Sequence, residues 1–167
     1  MSLKRRIQTF IKDPGPVDSI DKIETGINII DGEVHTDNPL RSPVQGKYCI
    51  GFHYESFIIK NPTGAPQPQI QKIKTAEVYT PFKLHVSGGI LSVIPKKSDN
   101  FDRESHLALE KQYGKDFRGA ENIISPRAKV RIRGKVKKSN GELILTMNII
   151  SVLKSKPAKK NKKRNRS

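Results

Sequence analysis

The stretch from Arg127 to Lys137 alternates strictly. Every second residue is a cation (Arg127, Lys129, Arg131, Arg133, Lys135, Lys137), and between them lie Ala128, Val130, Ile132, Gly134 and Val136. A period of two is that of a β-strand, whose successive side chains point to opposite faces. One face is therefore suited to a core. The other is a row of six cations, ~33 Å long at about 3.3 Å per residue. Asn140-Gly141 follows, then a second β-rich run from Glu142 to Leu153. Asn-Gly supplies the positive φ that both central positions of a type I′ turn require, so the two runs form a hairpin. Simple pairing about that turn sets Lys137 opposite Ile144, Lys135 opposite Thr146, Arg133 opposite Asn148 and Arg131 opposite Ile150. The cationic face is then shared with two isoleucines, which long basic stems can cover.

The rest of the chain reads as short strands punctuated by Pro and Gly. Ile27 to His35 is rich in β-branched residues, with Asp31-Gly32 as a bend or bulge. A turn-rich connection from Asn38 to Gly46 leads into Lys47–Lys60, where Tyr48, Ile50, Phe52 and Tyr54 load one face. Asn61 to Gln69 holds three prolines and reads as a loop or an open hairpin tip. Lys74 to Val86 and Ile90 to Pro95 are further strands about Gly88-Gly89. Residues 101–114 switch to a helical period through Leu107, Leu109 and Tyr113, with Gly114 as a stop. The expected fold is mainly β (β-rich α+β): a small, partly closed barrel of the oligonucleotide/oligosaccharide-binding kind, with one inserted helix and a short N-terminal helix.

Both ends differ from the middle. Leu3, Ile7, Phe10 and Ile11 share one helical face among basic residues, and Asp13-Pro14-Gly15-Pro16 stops that helix. Docking on the domain is the preferred role, and lying on a membrane surface is the rival. From Lys154 to Ser167, eight of fourteen residues are Lys or Arg, which reads as a disordered basic tail. The organisation is thus 1–16 helix and linker, 17–153 one β domain, and 154–167 tail.

The 167 residues carry a formal charge of +16, half of it in that tail. The remainder is basic by itself, and such an excess points to polyanionic partners: nucleic acid, an anionic membrane surface or an acidic protein. The expected contact residues are the six cations from Arg127 to Lys137, aided by Lys159, Lys160, Lys162, Lys163 and Arg164 of the tail. Edge protection alone needs only one or two charges. Three arginines in the row also suit the planar recognition of phosphate.

Little speaks for catalysis. His35, His53, His85 and His106 show no metal-ligand spacing, and no Walker, GxGxxG, GxSxG or HExxH motif is present. His53 and Glu55 share a strand face and read as a satisfied polar pair, with no nucleophile beside them. Cys49, the one cysteine, sits among apolar neighbours and reads as core, so no disulfide framework or Cys-based zinc site is expected. No apolar run is long enough to span a membrane. The expectation is a protein without cofactor or metal and without enzymatic activity. Its expected compartment is the cytoplasm, or the nucleus in a eukaryote, since the tail is similar to a nuclear-localisation run.

The run Gly32-Glu33-Val34, then Asn38-Pro39-Leu40-Arg41-Ser42-Pro43-Val44-Gln45-Gly46-Lys47-Tyr48-Cys49-Ile50, resembles the GIDE-type domain. That domain occurs in mitochondrial membrane ubiquitin ligases and in prokaryotic membrane proteins. The aromatic strand ending in Glu55, Pro81-Phe82-Lys83-Leu84 with Gly89 and Val93-Ile94-Pro95, and Lys129 to Val136 continue the resemblance over roughly residues 26–153. It implies a barrel-like, non-catalytic interaction domain. Departures limit it: the chain shows no membrane span, and a single cysteine cannot build a RING, so ligase activity does not carry over.

Overall fold

A computed structural model describes residues 14–64 and 66–154. The expected N-terminal helix and the tail cations Lys159, Lys160, Lys162, Lys163 and Arg164 lie outside the described residues. Eleven strands are present among those described: β1 (Pro16–Val17), β2 (Gly26–His35), β3 (Leu40–Arg41), β4 (Tyr48–Cys49), β5 (Gly51–Lys60), β6 (Gln69–Tyr79), β7 (Phe82–Val86), β8 (Gly89–Pro95), β9 (Phe117–Ile124), β10 (Lys129–Ser139) and β11 (Glu142–Val152). One α-helix, α1 (Arg103–Tyr113), lies between β8 and β9.

The molecule is mainly β and contains a closed five-stranded barrel. Its strands run β2-β10-β11-β8-β7, and β2 pairs with β7 to complete the ring. The barrel expected as partly closed is closed by the β2–β7 pairing. Only the β11–β8 contact in the ring is parallel. Closure makes β2 a shared strand: its first eight residues pair with β10 and its last three with β7. Gly32 sits where β7 crosses over, and a Cβ there would lie 2.7 Å from the His85 carbonyl oxygen. That close approach, and not the bulge expected at Asp31-Gly32, accounts for the glycine. The interior is aliphatic, with Ile30, Val34, Leu84, Leu91, Val93, Val130, Ile132, Val136 and Leu145 essentially sealed from solvent. Burying each such side chain contributes about 1.5–3 kcal/mol against chain entropy.

A second sheet, β6-β5-β9, has its own core of Cys49, Phe52, Tyr54, Ala76, Val78 and Phe101. The run expected as one strand from Lys47 to Lys60 bends at Ile50, whose side chain belongs to the barrel core. Ile50 is also the tie between the sheets: its N–H donates to the Ile124 carbonyl and its carbonyl accepts from the Thr80 N–H, both at 2.9 Å. The expected strand Lys74–Val86 is likewise two strands, parted at Thr80-Pro81 where the chain returns to the barrel. Strand β9 had no counterpart in the periodicity, because Arg118, Gly119, Glu121 and Asn122 leave it little apolar character.

Helix α1 covers this sheet. Asp102 caps it, accepting from the Ser105 N–H at 2.8 Å, and Gly114 ends it with φ 69°. Its buried residue is His106, while Leu107 is exposed, so the inward face is His106, Leu109 and Tyr113. The His106 Nδ1 and the Tyr54 hydroxyl lie 2.8 Å apart, and the imidazole packs on Gly119, where a Cβ would approach to 2.6 Å. Burial lowers the His106 pKa, which favours the neutral ring.

The Ser42–Lys47 segment forms a clasp beside that core. The Glu121 carboxylate accepts from the Val44 and Gln45 N–H groups at 2.9 Å, and Arg103 donates to the Pro43 and Val44 carbonyls. Ser42 is buried and accepts from the Lys47 N–H at 3.0 Å. Tyr48, expected with the buried aromatics, is instead exposed under the Arg41 guanidinium, 3.9 Å from the ring centre.

Candidate polyanion interface

Strand β10 carries the candidate site. Val130, Ile132, Gly134 and Val136 point into the barrel, and Lys129, Arg131, Arg133, Lys135 and Lys137 point out. The Asn140-Gly141 turn has φ of 51° and 80°, as a type I′ hairpin demands. The sixth cation does not belong to the row. Arg127 lies before the strand in the turn Ser125–Ala128, with φ 65°. Pro126 precedes it and the Ala128 N–H donates to Ser125, so Arg127 occupies a left-handed turn position that usually selects glycine. The strand row is five residues and ~26 Å long.

Pairing with β11 follows the expected register near the turn and departs from it beyond. Lys137 faces Ile144 and Lys135 faces Thr146, but the register shifts between Arg133 and Gly134. Asn148 is the extra residue of a β-bulge, so Arg133 faces Ile149 and Arg131 faces Ser151. Ile150, expected on the cationic face, instead packs against the barrel core opposite Ile132. Ile149 takes its place outside and is 60% exposed. Gly134 belongs to the same irregularity, since a Cβ there would lie 2.2 Å from the Thr146 carbonyl oxygen.

Strand β2, on the other side, divides the row. Lys129 faces Glu33 and Arg131 faces Asp31, whereas Arg133 faces Ile29 and Lys135 faces Ile27. Arg131 forms a two-pronged pair with Asp31, Nε to Oδ1 at 2.8 Å and Nη2 to Oδ2 at 2.9 Å. That hydrogen bond, with the nearby carboxylate charge, raises the Arg131 pKa. Its charge is answered within the fold. Arg133 is half-buried, and Lys135 and Lys137 are exposed with no ion pair among the described residues. Asp31 was the missed partner; the sequence reveals it only once β2 is known to lie beside β10.

The other chemically suggestive residues behave differently. His53 lies 3.3 Å from both Glu55 and Glu77, and Lys72 lies 3.7 Å from Glu55. The His53 hydrogen bond and then Lys72 lower the Glu55 pKa. Cys49 is buried, and desolvation pushes its thiol up to about 11, so at neutral pH it is protonated rather than a nucleophile. Among the described residues, no group of three or more His, Cys, Asp or Glu is placed to hold a metal ion, and no helix is long and apolar enough to cross a membrane. A groove of about 1010 Å³ is lined by Ile20, Ile23, Ile90 and Leu143 together with Glu24, Lys83, Lys138 and Glu142. No family model, curated protein or solved structure matches the chain.

Proposed function

We propose that this is a non-catalytic binding module that holds a polyanion, with nucleic acid as the leading class, against the Arg133–Lys137 half of β10. One observation carries the reading: Lys135 and Lys137, at alternate exposed positions with no ion pair among the described residues, face Ile27, Thr146 and Ile144 on the flanking strands. Aligned like charges repel, and an anion laid across them relieves that repulsion. Among the described residues, no aromatic side chain stands at the register positions flanking these cations, so contact is with phosphates rather than by base stacking. Binding is then indifferent to sequence and steeply dependent on salt. The tail cations Lys159, Lys160, Lys162, Lys163 and Arg164 add attraction of low specificity, and a cytoplasmic or nuclear setting suits such a partner.

The test uses the full chain with the tail lysines and arginines replaced by glutamine, so that the strand is read alone. Binding to a single-stranded oligonucleotide at low salt should fall roughly 10- to 100-fold on Lys135→Glu with Lys137→Glu. The slope of log K against log salt should flatten by about 1.5, two contacts at about 0.7–0.9 each. If the tail-neutralised chain ignores DNA and RNA at low salt, the reading is lost.

A second reading is a protein-interaction adaptor of the GIDE type. The exposed Ile27, Ile94 and Ile149, at 53%, 46% and 60%, favour it, because they leave apolar area beside the cations. A stoichiometric complex that survives nuclease treatment would support it, and loss of the complex on that treatment would count against it.

A further inference from the structure

Strands β2 and β7 meet at the end of the barrel where Arg127 lies, away from Lys135 and Lys137. His35 and His85 are in contact there, with ring centres 3.7 Å apart and planes tilted by 30°. They line a cleft of about 360 Å³ with Thr36, Asp37, Lys83 and Arg127. That volume is at the small end of ligand sites. Arg127 is held at its rim in a left-handed backbone conformation, and a strained non-glycine residue at a cleft is a pointer to function. Neither Arg127 nor Lys83 has an ion pair among the described residues; the Lys83 Nζ donates to Ser92 Oγ at 2.7 Å.

We propose that this cleft is a pH-gated site for a tetrahedral oxyanion of the phosphate class, recognised by Arg127 and Lys83 and switched on by protonation of the His35–His85 pair. The charges facing the pair come from every neighbouring element. Strand β2 supplies Glu33, whose Oε1 lies 2.9 Å from His35 Nε2, and the residues after it supply Asp37. Strand β7 supplies Lys83, the turn supplies Arg127, and β10 places Lys129 opposite Glu33. Strand β8 contributes only the neutral Ser92. With both imidazoles neutral, Lys83, Arg127 and Lys129 are set against Glu33 and Asp37, and the small positive excess attracts anions weakly. Protonation tips that balance. Two imidazolium rings in contact repel each other, and a dianion bridging them removes the repulsion, so anion and proton bind together. Affinity is therefore gained as pH falls.

This inference does not rest on the polyanion reading, and inorganic sulfate, whose charge is constant from pH 7.5 to 5.5, is the probe. Sulfate titrated into the full chain, followed by the imidazole carbon-bound proton resonances, should bind about tenfold more tightly at pH 5.5 than at 7.5. His85→Gln should reduce that ratio below about threefold. Arg127→Ala, a change in an exposed turn that leaves the core intact, should weaken binding about tenfold at both pH values and preserve the ratio. Lys137→Gln should change neither. At pH 5.5, tighter binding of phenyl phosphate than of inorganic phosphate would identify an ester as the ligand, and equal binding the free anion. Sulfate affinity that is independent of pH, or that neither variant alters, overturns the proposal.

Discussion

The two ends of the outer face of β10 have the same composition and opposite electrostatics. At the Lys129 end, β2 presents Glu33 and Asp31, and Arg131 is gripped by both oxygens of Asp31. At the Lys137 end the same strand presents Ile29 and Ile27, and β11 presents Ile149, Thr146 and Ile144. A row of cations in a sequence therefore specifies how many charges a face holds, but not how many an external anion can use. The neighbouring strand decides that, and it does so through register. One bulged residue, Asn148, separates the two ends on the other side as well.

The largest way to break this comparison is to disturb the boundary itself. Gly134 lies at the bulge, and a Cβ would meet the Thr146 carbonyl oxygen at 2.2 Å and Leu145 Cδ1 at 2.9 Å. Backbone cannot yield as a flexible side chain can, so Gly134→Val should force β10 from β11 and cost about 3 kcal/mol or more. Urea unfolding gives the measurement, as a lowered midpoint. An unchanged midpoint would mean that the hairpin tolerates a different register, and the division of the face by β11 would then have no fixed place.

A smaller effect sharpens the role of β2. Asp31→Asn removes the carboxylate but keeps the size of the side chain, so Arg131 is no longer neutralised. Polyanion affinity at low salt should rise a few-fold, and the salt dependence should steepen by about 0.7–0.9, one added phosphate contact. Salt-dependent binding of the tail-neutralised chain reads this directly. A slope that stays the same would show that Arg131 is out of reach for reasons of geometry rather than charge.

Much of the barrel was legible because its signals are local. Alternation from Val130 to Val136 marks an inward face, and Asn140-Gly141 marks a turn whose geometry only such residues accept readily. The small sheet was less legible. Strand β9 is held by pairing with β5, and its polar residues serve other elements: Gly119 makes room for His106 and Glu121 holds the Val44–Gln45 backbone. Such roles depend on contacts distant in sequence, which no periodicity encodes. The same limit applied to the candidate site. All five strand cations were readable, but the Asp31 partner and the Asn148 bulge belong to pairings that composition does not announce. The alternation in sequence runs one step beyond the strand to Arg127, and the preceding Ser125-Pro126 is the turn signal that marks the end of the row.

That residue provides the smallest expected effect. Arg127 has φ 65°, a conformation that costs an ordinary L-residue roughly 1–2 kcal/mol, whereas glycine adopts it freely. Glycine in turn loses more freedom on folding, about 0.5–1 kcal/mol. Arg127→Gly should therefore stabilise the protein by only about 0.5 kcal/mol, read as a slightly raised urea midpoint. The same change removes a guanidinium from the cleft of His35 and His85, so oxyanion binding there should weaken while stability rises. Movement of the two quantities in opposite directions would mark Arg127 as a residue kept in a strained position for what it contacts. A loss of stability on substitution by glycine would instead show that the arginine supports the turn, and that the Lys129 end of the barrel is structural throughout.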